Sequence, residues 1–285
     1  VVCYLILLIP GPTSELPEHA QKQPFSWNQD SLWQALEMQF ISVKNDEPSI
    51  YYSTIDSLLN EIEHSLNHIS NISVKPGSIQ FKRLENLIYK SAPLIAATHY
   101  RAKKYIQLFS RLRIEVKTQS RNWDMNSALA RKTIYRLLYG GRAAVEEIML
   151  QAPIDLIHPT INGFDEPSST PKASILGITL HSGDILVSRG GAPTSALIAR
   201  GNDFPGNFSH VALVHVDSKT HIISVIESHI EIGVAVTTPD KYLDDTKLRV
   251  MVLRLRSDLP AVLADSMLPH KASELALQEA GCRHI

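Results

Sequence analysis

The hydrophobic period of the chain changes once, and this change restricts the possible folds. Up to about Leu150, apolar residues recur at steps of three and four, as an amphipathic helix requires. The clearest run is Ile55, Leu58, Leu59, Ile62 and Leu66. After a polar, proline-containing stretch at residues 153–171, apolar residues come in short runs rich in Val, Ile and Leu, which are typical of strands. The sequence therefore predicts an α+β protein, with a helical module followed by a domain built on a small antiparallel sheet.

Within the helical module, further apolar stripes follow the first one. One covers residues 84–95, where we expect Pro93 to kink or break the helix because proline lacks the backbone donor. Another covers residues 127–150, with an expected interruption at Gly140 and Gly141. No repeat of fixed length is present in the sequence. We therefore predict a helical bundle or an array of helical hairpins.

The predicted domain boundaries follow from these patterns. Residues 1–25 are expected to be a truncated signal or anchor and a linker, and residues 26–152 the helical module. Residues 172–285 are expected to form the second domain, truncated at its C-terminal end. Its predicted strands cover residues 184–188, 210–216, 221–227 and 249–256, and a helical stretch begins at Pro260.

The first ten residues, VVCYLILLIP, are almost purely apolar. They are too few to span a bilayer, which takes about 20 residues. We interpret them as the end of a signal peptide or membrane anchor, which predicts an exported or anchored protein of the bacterial cell envelope; a buried strand is the alternative. Cys3 is interpreted as an apolar residue without a chemical role. Because the sequence begins at Val1 and not at a methionine, and because its end at Ile285 is not typical of a natural C-terminus, we interpret it as a fragment.

Charge is distributed unevenly along a nearly neutral chain of 28 basic and 29 acidic residues. Residues 71–150 hold 15 Lys and Arg against 5 Asp and Glu, which leaves 13 against 24 for the remainder. A basic helical module next to an apolar N-terminus suggests contact with an anionic membrane surface. An ordinary solvated helix face is the alternative. Nucleic acid is not expected as a partner, because the sequence has no recognised nucleic-acid motif.

Three short patterns of the second domain occur in a fixed order. Residues 180–187 (LHSGDILV) form a Gly-Asp turn that leads into a strand. Residues 208–214 (FSHVALV) place a histidine near the start of a buried strand, and residues 225–228 (VIES) place a glutamate on the next strand. Each pattern alone is weak, because a single strand histidine is more often a core residue than a catalyst. Their order and spacing are more informative.

In that order and spacing, the sequence resembles the NlpC/P60 superfamily of papain-like cysteine hydrolases. It is most similar to the circularly permuted branch that contains the YiiX/YaeF-like amidases and, more distantly, lecithin:retinol acyltransferase. The resemblance covers about residues 180–256 and the helix that follows, roughly a third of the chain. It implies a permuted papain-like domain.

The resemblance also implies roles for individual residues. His210 would be the general base that takes the proton of a cysteine thiol, and Glu227 would orient its ring and stabilise the imidazolium. His229, two residues further along the same strand face, is the alternative orienting residue.

Three other residues are expected to shape the site. Gly183 and Asp184 would form the turn before the first strand of the motif, and Ser209 would lie beside the base as a substrate-binding or turn residue. Neither a metal nor a cofactor is expected, because the remaining histidines show no pairing at metal-ligand spacing and two cysteines cannot make a multi-cysteine zinc site.

The nucleophile is the part of the pattern that this sequence does not supply. In the permuted branch the cysteine follows the histidine, and Cys282 is the only cysteine after His210. Cys282 comes where one helix ends, whereas the family's cysteine begins a further helix. We therefore expect the nucleophile to lie beyond Ile285, and the chain as given to be inactive.

Taken together, these features predict a thiol-dependent hydrolase that cleaves an amide or ester bond through an acyl-enzyme. The expected substrates are a peptide or isopeptide of cell-wall material, or an acyl amide or ester of a lipid. Two alternatives remain open. One is a non-catalytic module that binds peptide or lipid, and the other is an acyltransferase with the same cysteine and histidine chemistry.

Overall fold

A computed structural model describes residues 31–153, 155–157, 160–161, 163–200, 208–229, 233–244 and 247–280. The predictions for residues 1–25, Cys3 and Cys282 lie outside these ranges. The chain divides into two compact units between Phe164 and Asp165, inside the polar stretch 153–171. One unit is helical and the other contains the strands, so the α+β class predicted from the sequence is confirmed.

The helical unit contains six α-helices within the described residues. They are α1 (Ser31–Lys44), α2 (Tyr52–Ile69), α3 (Ile79–Thr98), α4 (Ala102–Ser120), α5 (Ala128–Ile134) and α6 (Gly141–Gln151). A 3₁₀ turn (Pro48–Tyr51) precedes α2, and a π-helical turn (Tyr135–Gly140) joins α5 to α6. The stripe predicted for α2 is buried against its neighbours, since Ile55, Leu59, Ile62 and Leu66 are all 0% exposed. Helix α3 packs against α1, α2 and α6.

Helix α3 does not break at Pro93, so the prediction of a break at this residue is wrong. The helix runs on to Thr98 and ends where His99 adopts a left-handed conformation, with φ 57°. An interior proline costs a helix about 3 kcal/mol. Leu94 and Ile95 beside it are buried in the core, and each buried side chain of this size contributes about 1.5–3 kcal/mol. Tertiary packing therefore outweighs the local cost.

The predicted interruption at Gly140 and Gly141 is also wrong, because both glycines keep helical backbone angles. Their role is close packing. A Cβ atom on Gly140 would lie 1.8 Å from the hydroxyl oxygen of Tyr89 on α3, and one on Gly141 would lie 2.5 Å from the ring of Phe109 on α4. The irregularity in this stretch is the π-helical turn, which ends at Gly140 and is followed directly by α6 at Gly141.

The excess positive charge of residues 71–150 is partly neutralised inside the helical unit. Acidic side chains of α2 pair with basic side chains of α3, of α4 and of the residue that precedes α4. These pairs are Arg83–Glu61 at 3.1 Å, Arg101–Asp56 at 2.9 Å and Lys104–Glu63 at 3.2 Å. Residues 31–161 together hold 16 Lys and Arg against 12 Asp and Glu. The net charge of this unit is therefore much smaller than that of its basic segment.

The second unit contains two antiparallel sheets. Its strands are β1 (Lys172–Ile175), β2 (Ile178–His181), β3 (Ile185–Gly190), β4 (His210–Val216), β5 (Ile223–His229), β6 (Gly233–Thr237) and β7 (Lys247–Leu253). Its helices are α7 (Pro193–Arg200), α8 (Pro239–Asp244), α9 (Pro260–Ala264) and α10 (Leu268–Glu279). Strands β1 and β2 form a hairpin, and the five-stranded sheet has the order β6-β5-β4-β3-β7.

Strand β4 lies at the centre of the five-stranded sheet and divides its side chains between two faces. One face carries His210, Ala212, Val214 and Val216. Ala212, Val214 and Val216 pack there in a core with Leu186 of β3 and Tyr242 of α8. His215 points to the other face, where α10 covers it. No helix among the described residues has the length and apolar composition needed to cross a membrane.

Candidate active site

Two neighbouring strands bring His210 and Glu227 together. Strand β4 begins at His210, and its pairing with β5 sets Ala212 opposite Glu227, so the three residues share one face of the sheet. The Nε2 atom of His210 lies 2.8 Å from the Oε2 atom of Glu227. The Glu227 side chain is buried, with 4% exposed, whereas that of His210 is 28% exposed. The two side chains are therefore neighbours, as the family resemblance implied.

The hydrogen bond between His210 and Glu227 determines which ring nitrogen of His210 has no partner among the described residues. Because a carboxylate oxygen accepts, the proton of this bond lies on Nε2, and in the neutral form of the ring Nδ1 carries the lone pair. Within the described part of the chain, Nδ1 has no hydrogen-bond partner. A partly exposed imidazole in this tautomer can accept a proton at Nδ1 while its other nitrogen is held.

His229 contacts the glutamate and not the base. Its Nε2 atom lies 3.2 Å from Oε1 of Glu227, the carboxylate oxygen that His210 does not use. The rings of His210 and His229 are 5.8 Å apart between centroids and inclined at 36°. Of the two orienting residues considered from the sequence, Glu227 is thus the one bonded to His210. His229 contacts the other oxygen of the Glu227 carboxylate.

Ser188 is a site residue that the sequence patterns do not indicate. It lies on β3 directly opposite His210 and on the same face. It is fully buried, and its Oγ has no hydrogen-bond partner among the described residues. Only the register between β3 and β4 places it there, so no local signal could have found it. A buried hydroxyl without a hydrogen-bond partner lowers the free energy of unfolding by about 1–3 kcal/mol. A ligand or a water molecule that bonded to Ser188 would recover this free energy.

Ser209, the predicted neighbour of the base, precedes His210 at the start of β4. Its backbone N–H donates to the carbonyl oxygen of Ser188 at 2.9 Å, which extends the pairing of β3 and β4 by one residue. Its hydroxyl oxygen is buried and has no partner in the described ranges. Its backbone therefore fixes the start of β4.

Asp184 lies at the opposite end of β3, away from His210. Its carboxylate accepts the backbone N–H of His181 at 2.8 Å, which closes the turn that the sequence predicted. It also receives two hydrogen bonds from Arg254, Nε to Oδ1 at 2.8 Å and Nη2 to Oδ2 at 2.9 Å. The same guanidinium donates to the carbonyl oxygens of Glu166 at 2.7 Å and Thr179 at 3.1 Å. Asp184 is thus a buried structural anchor.

Gly183 is required by two separate features. Its φ of +92° lies in a region that other residues rarely adopt. A Cβ atom at this position would also lie 2.4 Å from Cβ of Pro269 and 2.6 Å from its carbonyl oxygen. The turn therefore needs glycine both for its backbone angle and for the approach of α10.

A buried polar cluster attaches α10 to the sheet. The Oγ atom of Ser182 lies 2.8 Å from Oγ of Ser273 and 2.8 Å from Nδ1 of His270, and accepts the backbone N–H of Val216 at 3.1 Å. Ser273 donates to the carbonyl oxygen of His270, and its Oγ lies 3.1 Å from Nδ1 of His215. Because the Ser273 proton is already used, the proton of this last bond lies on His215.

The environment of His215 disfavours its charged form. Burial and the neighbouring His270 lower the pKa of His215, and the two rings stack with centroids 5.5 Å apart. We assign this cluster a structural role, since all four side chains are buried and joined by hydrogen bonds.

A cavity of about 270 Å³ opens at the Asp184 end of the sheet. Its lining includes Ser182, Asp184, Arg254, Ser257 and Pro269, but neither His210 nor Glu227. Asp184 and Ser188 are four residues apart on an extended chain, a distance of about 13 Å. The cavity therefore lies apart from the histidine pair.

Within the ranges that the structure describes, no group of three or more His, Cys, Asp and Glu side chains is arranged to hold a metal ion. Both cysteines of the chain, Cys3 and Cys282, lie outside the described ranges.

Comparison with protein-family models, with curated proteins and with solved structures gives no significant match.

Proposed function

We propose that the second unit is the base-bearing part of a thiol-dependent amide or ester hydrolase with a permuted papain-like fold of the NlpC/P60 type. The observation that carries the proposal is the bond between His210 Nε2 and Glu227 Oε2, which leaves Nδ1 of a partly exposed imidazole free to accept a proton. The antiparallel sheet and the order of the three sequence patterns add to this support.

In this mechanism Nδ1 of His210 takes the proton of a cysteine thiol, and Glu227 holds the ring and stabilises the imidazolium. The thiolate attacks the carbonyl carbon of the substrate. The tetrahedral intermediate then collapses to a thioester as the imidazolium returns the proton to the leaving amine or alcohol. Finally, Nδ1 takes a proton from water, the hydroxide attacks the thioester, and the acid and the thiol are released.

The thiol is proposed to come from a cysteine that follows His210 in the chain, which is the order in the family that the sequence resembles. Cys282 also follows His210, but we do not propose it as this cysteine, because the nucleophile of the family begins a further helix. The proposed substrates are a peptide or isopeptide of cell-wall material, or an acyl amide or ester of a lipid. If an alcohol or amine replaced water in the second half of the reaction, the same groups would catalyse acyl transfer.

Covalent labelling tests the mechanism. The protein, expressed from its complete reading frame, is treated with an activated acyl ester that carries an alkyne tag, and the labelled residue is found by mass spectrometry. We expect one cysteine to be acylated, and His210→Ala to abolish its labelling because no base remains. The exposed His68 of α2 supplies the control, since His68→Ala should label like the unmodified protein.

Two results would count against the mechanism. Undiminished labelling of His210→Ala would show that the thiol reacts without this base. Absence of an acylated cysteine in the unmodified protein would favour the alternative, a module that binds peptide or lipid without cleaving it.

A further inference from the structure

We propose that His229 is a positioning residue that holds the Glu227 carboxylate in place, so that the site is a chain of three side chains, His229–Glu227–His210. The catalytic consequence rests on the proposed function, but the arrangement itself does not. It rests on two contacts of one carboxylate, His210 Nε2 to Oε2 at 2.8 Å and His229 Nε2 to Oε1 at 3.2 Å.

Each of the three side chains is placed by the sheet. Glu227 and His229 are two residues apart on β5 and therefore point to the same face. His210 reaches that face from β4, because the register sets Ala212 opposite Glu227. On the other side, His229 pairs with Gly233 of β6, which has no side chain to compete for the carboxylate.

The buried position of Glu227 makes the second contact important. The terminal torsion of a glutamate has a broad energy profile, so one hydrogen bond alone fixes the carboxylate poorly. Water has little access to a side chain that is 4% exposed, so it is a poor substitute for the His229 nitrogen that lies 3.2 Å from Oε1. If His229 is removed, the carboxylate can turn toward another donor, and the bond that keeps the proton of His210 on Nε2 is weakened.

The two imidazoles are therefore not equivalent. The Nε2 atom of His210 is hydrogen-bonded to the carboxylate, whereas that of His229 lies beside the other carboxylate oxygen at ion-pair distance. His210 begins the central strand and lies opposite Ser188, whose hydroxyl has no partner in the part of the chain that the structure describes. His229 lies at the end of β5, beside the edge strand β6. The geometry thus leaves His210 as the base and His229 as the residue that acts through Glu227.

The tautomer of His210 is the readout that a purely structural role would not change. We would record long-range ¹H–¹⁵N spectra of histidine-labelled protein and assign the His210 signals with His210→Gln. The unmodified protein should show the tautomer with the proton on Nε2. His229→Leu should show a mixture of both tautomers, whereas His229→Gln, whose amide nitrogen can reach the position of Nε2, should keep the original pattern.

Labelling kinetics provide the second measurement. At saturating acyl probe, we expect His229→Leu to reduce the acylation rate about tenfold or more, as removal of a positioning residue often does, with little change in the probe concentration at half-maximal rate. His229→Gln should recover most of the rate. If the hydrolase proposal is wrong, labelling is absent in every variant, but the tautomer measurement still decides the role of His229.

Two outcomes would overturn the role of His229. One is a His210 tautomer in His229→Leu that is the same as in the unmodified protein. The other is equal disturbance by leucine and glutamine. Should His229→Leu fail to fold, His229→Asn takes its place, because the asparagine amide is too short to reach Oε1. His229→Asn should then show the mixture of His210 tautomers, whereas His229→Gln should not.

Discussion

Asp184 and Arg254 form a two-pronged ion pair that joins the residue before β3 to the residue after β7. Oδ1 lies 2.8 Å from Nε and Oδ2 lies 2.9 Å from Nη2. Ile185 and Leu253 are opposite each other in the sheet, so the ion pair continues the β3–β7 ladder beyond its last backbone pair. Only 1% of the Asp184 side chain and 11% of the Arg254 side chain are exposed.

Asp184→Asn should therefore destabilise the second unit severely. It removes the buried carboxylate from a buried guanidinium and leaves only the exposed carboxylate of Asp165 as its ion-pair partner, a change that costs up to about 3–5 kcal/mol. The free energy of unfolding in urea measures the effect. The control is Asp258→Asn at the exposed pair Arg256–Asp258, for which a loss of about 1 kcal/mol or less is expected. Equal losses in the two variants would show that Asp184 is not an anchor.

A pair of glycines separates backbone strain from steric contact. Gly183→Ala places a Cβ atom 2.4 Å from Pro269 at a φ of +92°, whereas Gly177→Ala has a similar φ of +76° and nothing within 4 Å. Both should lose about 1–2 kcal/mol from the left-handed conformation. Gly183→Ala should lose about 1–3 kcal/mol more, because α10 must move. Urea unfolding compares the two, and similar losses would mean that α10 adapts without cost.

The pKa of His215 makes the stability of the second unit depend on pH. Burial and His270 lower the pKa of His215, and burial and Arg254 lower that of His181. Both groups bind fewer protons in the folded chain than in the unfolded chain. Their contribution to stability is therefore complete above the ordinary histidine pKa of about 6.5 and is lost as the pH falls below it.

We accordingly expect the free energy of unfolding to fall between about pH 7 and pH 5, by up to about 1.4 kcal/mol per pH unit for each histidine. His215→Asn removes one titrating group but keeps an N–H donor for Ser273. Its unfolding free energy should depend less steeply on pH in urea titrations. A slope as steep as that of the unmodified protein would assign the pH dependence to other groups.

The close contact between Gly140 and Tyr89 predicts that a better helix former is harmful here. Alanine is favoured over glycine by about 1 kcal/mol inside a helix. Gly140→Ala should nevertheless destabilise the helical unit, because its Cβ atom would lie 1.8 Å from the Tyr89 hydroxyl oxygen. Tyr89→Phe in the same chain removes that oxygen and should recover part of the loss. The melting temperatures of the two single variants and the double variant provide the test.

The sequence predicts the features that depend on local pattern. The bounds of β4, His210–Val216, are as predicted, because a run of apolar residues after a polar loop is a local signal. His210 and Glu227 are 17 positions apart on two predicted strands, and a strand–turn–strand connection of that length allows their side chains to lie side by side, as they do. The buried stripe of α2 likewise follows from its three- and four-residue steps.

Features that depend on which elements pack together were missed. Pro93 stays inside a helix because of core packing that local pattern does not report. Arg254 is 70 residues from Asp184, and only the pairing of β3 with β7 brings them together. Ser188 faces His210 through strand register alone. Periodicity indicates which side of an element is buried but not what buries it.

The order of the strands has a consequence for biosynthesis. Strands β3 to β6 form successive antiparallel neighbours and can pair as they leave the ribosome. Strand β7 does not continue this series, because it crosses to the opposite edge and pairs with β3. Until β7 emerges, that edge of β3 carries unpaired backbone groups, a template for wrong pairing between nascent chains. At about 5–20 residues per second this exposure lasts for seconds, so chaperone demand should be greatest in that interval.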